Sequence, residues 1–182
     1  RQFSYALLQA VAQLEEVMLQ HELGRLVEAE LVYQRGLRPQ ATYTFKHALI
    51  QDAAYESLLK STRQHYHQRI ALVLEAQFTE TAEAQPELLA HHYTEAGLIL
   101  QAVPYWQHAA QRAIERSAHV EAITHLRQGL VLLPTLPETP ECTRREVDML
   151  IALGVALNAT KGYTAPEVAQ TFLRARQLCA HL

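Results

Sequence analysis

The chain has 182 residues, with 16 Lys and Arg against 19 Asp and Glu for a formal charge of −3, and 49% hydrophobic residues. Leu and Ala supply 28 and 27 positions, while Gly and Pro together supply only 13. That balance favours a mostly helical chain and argues against a β-sandwich, a collagen-like chain or a disordered tail. Neither half is a basic arm or an acidic tail, so generic binding to polyanions has no electrostatic support.

No apolar run reaches the ~18 residues needed to span a bilayer, and Arg1-Gln2-Phe3-Ser4-Tyr5 lacks the layout of a signal peptide. The chain begins without Met and is expected to be a piece of something longer. Cys142 and Cys179 are too few for a disulfide framework. A reducing, cytoplasmic compartment is the expectation, with both thiols reduced even if antiparallel pairing of the last two helices brings them to the same end.

In chain order, Leu7, Leu8, Val11 and Leu14 recur at helical spacing after Ser4, an expected N-cap. A second helix is expected from Glu15 to Ala29. The residues 31–33 and 42–45 are rich in β-branched and aromatic residues, with Gly36 and Pro39 between them, and predict a two-stranded ribbon near 31–45. From Lys46 onward the pattern is helical. One helix is expected over 47–59, another capped by Ser61 or Thr62, then a polar break over 80–85. Five more helices follow at 86–96, 99–116, 118–133, 141–158 and 165–181. Gly97 marks a helix end and Ser117 an N-cap. Thr139-Pro140-Glu141 reads as N-cap, N1 and N2, and Thr164 to Glu167 has the spacing of a capping box.

Short helices and shorter loops predict helical hairpins stacked in sequence. The tetratricopeptide pattern of small and aromatic positions matches Leu89, Ala90 and Tyr93 followed by Ala102, Trp106 and Ala109. A second phase fits Ala109, Ala110, Ala122, Leu126, Gly129 and Pro134, and a looser one fits Leu153, Gly154, Leu157, Phe172 and Ala175. The first two phases are offset by about 20 residues instead of the 34 of a regular array, so the repeat is degenerate around residues 99–133.

Three segments carry a family resemblance. They are Tyr43-Thr-Phe-Lys46-His47-Ala48-Leu-Ile-Gln-Asp52-Ala-Ala-Tyr55-Glu-Ser-Leu58-Leu59 with Arg63 and His67, then His91-His92-Tyr93 with Ala96-Gly97, then Lys161-Gly162-Tyr163 with Ala165-Pro166-Glu167. Together they resemble the region that follows the ATPase module in bacterial STAND-type predicted ATPases, often fused to adenylate/guanylate cyclase or protein-kinase domains. The resemblance implies a winged-helix-like segment over 1–60 and tetratricopeptide-like helical repeats over 61–182. It also implies that the catalytic parts lie elsewhere in a parent protein. G-x-x-x-x-G-K-[ST] is absent, and the two Asp, Asp52 and Asp148, are not in a cyclase-like setting.

No catalytic, cofactor-binding or metal-ligating residue is assigned. His65 and His67 point about 200° apart on a helix, and His91 and His92 about 100°, so neither makes a helical metal pair. His47 and Asp52 fall on different faces and form no triad with Tyr55, which with Phe45 is expected to pack between ribbon and helix. Trp106 is expected in the core. Glu87, His91 and Glu95 stack at i,i+4 spacing on one helix face. With Thr94 they form the candidate interaction groove, lined by first-helix positions of the repeat; the simpler reading is a solvated face.

The expected fold is thus all-α, a tetratricopeptide-like helical-hairpin solenoid preceded by a winged-helix-like segment with a short β-ribbon. The expected function is a non-catalytic interaction and regulatory module whose partner is a protein, a peptide or other domains of the parent chain, without a membrane or nucleic acid. Two alternatives are a contribution to an ATPase or cyclase nucleotide site, and a DNA-binding regulator using Arg35, Arg38 and Lys46 beside the wing.

Overall fold

The computed structural model describes residues 2–180. They form ten α-helices and one small antiparallel sheet, so the chain is mostly helical. Packing divides it into two compact units, one ending at Thr79 and one starting at Glu80.

The first unit opens with β1 (Gln2–Ser4), α1 (Tyr5–Ala12) and α2 (Glu16–Glu28), followed by β2 (Val32–Arg35) and β3 (Thr42–Phe45). Ser4 caps α1 as expected, its hydroxyl accepting from the Leu7 amide at 3.2 Å. The expected two-stranded ribbon is instead a three-stranded sheet in the order β1-β3-β2. β1 pairs Phe3 with Tyr43, and β2 pairs Gln34 with Tyr43. The third strand forms because Phe3 stacks on the Tyr43 ring at 5.6 Å and meets Phe45 at 5.9 Å, supplying the cross-strand aromatic pairs that hold a short strand. Beneath it Tyr5, Leu19, Leu23, Val32, Ala41 and Tyr43 make a closed core.

α3 (Ala48–Glu56) and α4 (Lys60–Gln77) complete this unit. The change of character expected at 60/61 falls at Thr79/Glu80, since α4 packs on α1 and belongs with the first unit. The expected caps Ser61 and Thr62 lie inside the first turn of α4, which starts after an extended Leu59. α3 has no buried residue, and Leu49 and Leu59 are 79% and 74% exposed. The polar break expected at 80–85 is a helix, α5 (Thr79–Ala84), none of whose side chains is buried.

The second unit continues with α6 (Pro86–Glu95), α7 (Ile99–Glu115), α8 (His119–Leu132), a 3₁₀ turn (Leu133–Thr135), α9 (Pro140–Lys161) and α10 (Pro166–Cys179). The expected bounds hold to within about a turn, and the end expected at 181 lies outside the described residues. Each helix packs on the next: α6 on α7, α7 on α8, α8 on α9 and α9 on α10. Three helices end in the same way. The amide three residues beyond the helix bonds back to the carbonyl of its antepenultimate residue, with Glu30, Gly97 or Ser117 left-handed between. Ser117 therefore closes α7 at φ 58°, whereas α8 begins after Ala118 with no side-chain cap. Thr139 caps α9 as expected, accepting from the Cys142 amide. The capping box expected at Thr164 does not form, because Ala165 is the N-cap of α10.

The interfaces of the second unit depend on small residues. Ala90, Ala102, Ala109, Ala110, Ala113 and Ala122 are at most 2% exposed. A Cβ at Gly129 would sit 3.2 Å from Trp106 Cβ and closer still to Met149, and one at Gly154 would sit 2.6 Å from the Phe172 ring. Small residues let the helix axes approach, and large side chains from the facing helix fill the space beside them.

Candidate functional site

The four residues expected to form a groove lie on or beside one face of α6. Pro86 begins the helix where its missing N–H costs nothing, Leu89, Ala90 and Tyr93 bury the opposite side, and Gly97 at φ 77° ends it. His91 and Glu95 are exposed and Glu87 is half-buried, so a stripe with two carboxylates faces solvent along α6. The ring of His91 lies 5.5 Å from that of His92.

Thr94 has a different role from its neighbours. Its hydroxyl donates to the Ala90 carbonyl at 2.7 Å and accepts from Trp106 Nε1 at 3.0 Å. The hydroxyl satisfies the indole N–H of a 9% exposed tryptophan, so it serves the packing of α6 on α7 rather than a ligand. Trp106 is the core aromatic expected, and its other side stacks on His125 of α8 at 5.6 Å.

His125 and Glu121 are the residues that sequence reasoning missed. His125 Nε2 lies 3.6 Å from Glu121, and Glu121 pairs with Arg116 at 3.4 Å. A relay of contacts thus runs from Thr94 through Trp106 to His125 and joins the polar faces of α6 and α8. The i,i+4 spacing of Glu121 and His125 was available as a signal, but only the position of Trp106 ties it to α6.

Two of the motif segments singled out in the sequence have structural roles. Glu167, in the first turn of α10, bonds both Lys161 at the end of α9 and Arg127 of α8. Those cations, Lys161 foremost, hold the Glu167 carboxyl below its ordinary range. Gly162 supplies the φ of 81° that turns the chain between α9 and α10, and Tyr163 is 83% exposed. In the first unit the Tyr55 hydroxyl is 3.0 Å from His67 Nε2, and Arg63 lies over the Tyr55 ring at 5.0 Å. Tyr55 therefore engages α4, where packing against the ribbon was expected. His67 is 8% exposed and unsuited to an exposed metal site.

Among the residues beside the ribbon, Lys46 bonds Glu30 and lies over the Tyr33 ring, and Arg38 lies over Tyr5 at 6.0 Å. The hydrogen bond with Glu30 raises the Lys46 pKa and lowers that of Glu30. That pairing leaves less free charge for a phosphate backbone. Cys142 is half-buried, Cys179 is exposed, and both thiols are free. Among the described residues no three His, Cys, Asp or Glu gather as a metal site, and no helix is long and apolar enough to cross a membrane.

Two adjoining cavities lie elsewhere in the second unit. An open cleft of about 790 Å³ is lined by Gln107, Glu141, Arg144, Arg145 and Asp148. A smaller slot of about 300 Å³ is walled by Leu100, Val103, Leu133, Leu136 and Pro137, and shares Thr139, Glu141 and Arg145 with the cleft.

No protein-family model matches the chain, and no solved structure matches it. It is 31% identical over 126 residues to an uncharacterized protein of Rhizobium meliloti (strain 1021), an alignment covering 69% of this chain. The chain spans about 12% of the length of that relative.

Proposed function

We propose that the chain is a non-catalytic protein-interaction and regulatory module of a larger bacterial signal-transduction protein, a STAND-type ATPase or adenylate/guanylate cyclase. The observation that carries the interaction reading is the second unit. Its helices pack in chain order through small residues set against large ones, which supports reading it as a tetratricopeptide-like stack. Such a stack consists of rigid helices that present side chains in register, and α6 presents Glu87, His91 and Glu95. The kinship with signalling ATPases rests on the three motif segments, and the cytoplasmic setting on that kinship and the free thiols.

The partner this face suits is a basic segment of a protein or of the parent chain, because two of its three side chains are carboxylates. Its regulatory effect requires that the segment be held in one state of the parent and released in another, since only differential contacts shift an equilibrium. Glu87→Lys with Glu95→Lys should abolish capture of lysine- and arginine-bearing peptides and leave thermal stability unchanged. Retained capture overturns the groove. Titration of magnesium–ATP into the chain should give no binding heat. The parent is tested by reading its gene for a G-x-x-x-x-G-K-[ST] loop ahead of this segment; a gene without one removes the ATPase from the account.

A further inference from the structure

We infer that the cleft and slot at the start of α9 form a second binding site, for a free apolar amino acid in zwitterionic form. It lies against α7, the 3₁₀ turn and α9 and uses none of the α6 residues.

Three features of the walls select this chemistry. The slot is apolar and bounded on one side by the 3₁₀ turn and Pro137. Prolines 134, 137 and 140 stiffen the loop that makes that wall, so the slot is preformed and little ordering is needed on binding. Its volume of about 300 Å³ suits one aliphatic or aromatic side chain. The adjoining cleft, in contrast, carries both signs of charge: Arg144 and Arg145 against Glu141 and Asp148. A simple fatty carboxylate would face the two carboxylates, and an alkylammonium would face the two guanidiniums. A group bearing an α-carboxylate and an α-ammonium beside its apolar side chain satisfies both.

The side chains of the cleft are not spent on one another. Arg145 reaches Gln107 Oε1 only at 3.4 Å and Glu141 at 3.6 Å, long contacts that a ligand carboxylate can replace with a charge-assisted pair. Arg144 is exposed and makes no ion pair among the described residues. Pro104, inside α7, has no N–H, so the carbonyl of Leu100, a residue that lines the slot, lacks its usual helical donor.

The test is a titration of the full chain with L-leucine, followed by amide shifts of Gln107, Cys142 and Arg145. The expected result is saturable one-site binding, with glycine, N-acetyl-leucine and leucinamide each at least fivefold weaker. Binding of the tripeptide Ala-Leu-Ala, whose leucine has neither free group, as tight as that of leucine overturns the zwitterion assignment. Arg144→Glu should abolish binding, and Leu100→Asp, at a side chain 65% exposed, should weaken it at least fivefold, both with unchanged helical circular dichroism. Absence of saturable shifts with leucine overturns the inference. So does binding of N-acetyl-leucine and leucinamide as tight as that of leucine.

Discussion

The two units of the chain are stabilised by different means. In the second, almost every buried position is an apolar or small residue at helical spacing, and at Gly129 and Gly154 a large side chain of a facing helix fills the space beside the glycine. In the first, the core depends on β1 reaching β3 across about 40 residues of sequence, and α3 buries nothing. Local periodicity therefore specifies the second unit, while the first is specified by a few non-local aromatic contacts. Helices packed in chain order in this way suit a surface that holds side chains in register, which the proposed role of the α6 face would require.

The comparison can be broken by core truncation. Leu157→Ala and Leu126→Ala, both at most 1% exposed in the second unit, should cost about 2–5 kcal/mol each by chemical denaturation. Leu49→Ala in α3, at 79% exposure, should stay within about 0.5 kcal/mol. Equal costs at the two places would remove the distinction.

The role of small residues is sharper in a double-mutant cycle. Gly154→Ala should destabilise by about 1–3 kcal/mol, because the new methyl meets the Phe172 ring. In a Phe172→Ala background the same change should be neutral or stabilising, since alanine is the better helix former. A cost unchanged by the second substitution would mean that Gly154 does not set the approach of α9 and α10.

Thr94→Val removes the acceptor of the Trp106 indole and should cost about 1–3 kcal/mol. The chain has one tryptophan, so its emission reports the change directly. A smaller effect of opposite sign is expected at Ser117, exposed and left-handed at φ 58°. Ser117→Gly should stabilise by about 0.5–1 kcal/mol, as glycine adopts that conformation without strain.

The smallest effect is electrostatic. The Glu167 carboxyl is held below its ordinary pKa of 4.5 by Lys161 and then Arg127. Its contribution is therefore complete above that value and is lost as pH falls through the lowered one. The melting-temperature difference between the native chain and Glu167→Gln should be constant from pH 7 to 5 and shrink below 4.5. A difference that grows on acidification would contradict the pairing.

Legibility in the sequence follows the same division. Thr139-Pro140 marked the start of α9, and Ala90, Trp106 and Ala109 marked a helix pair, because caps and periodicity are local. β1 escaped because its three residues mean nothing until Phe3 meets Tyr43. α5 escaped because Thr79 to Ala84 carries no apolar stripe to bury. At the candidate site, Glu87, His91 and Glu95 were readable as one helix face. That Thr94 serves Trp106, and that Glu121 and His125 of α8 join the relay, depends on tertiary packing alone. The α9 cleft was equally hidden, since Gln107 and Arg145 meet across 38 positions.

The most direct test of the interaction reading is selection of peptides by the full chain from a random displayed library, repeated with the Glu87→Lys, Glu95→Lys variant. Enrichment of lysine- and arginine-bearing peptides by the native chain, lost in the variant while its melting temperature is unchanged, is the predicted result. Enrichment without a basic bias, or one that survives in the variant, would contradict the assignment of partner recognition to the α6 face.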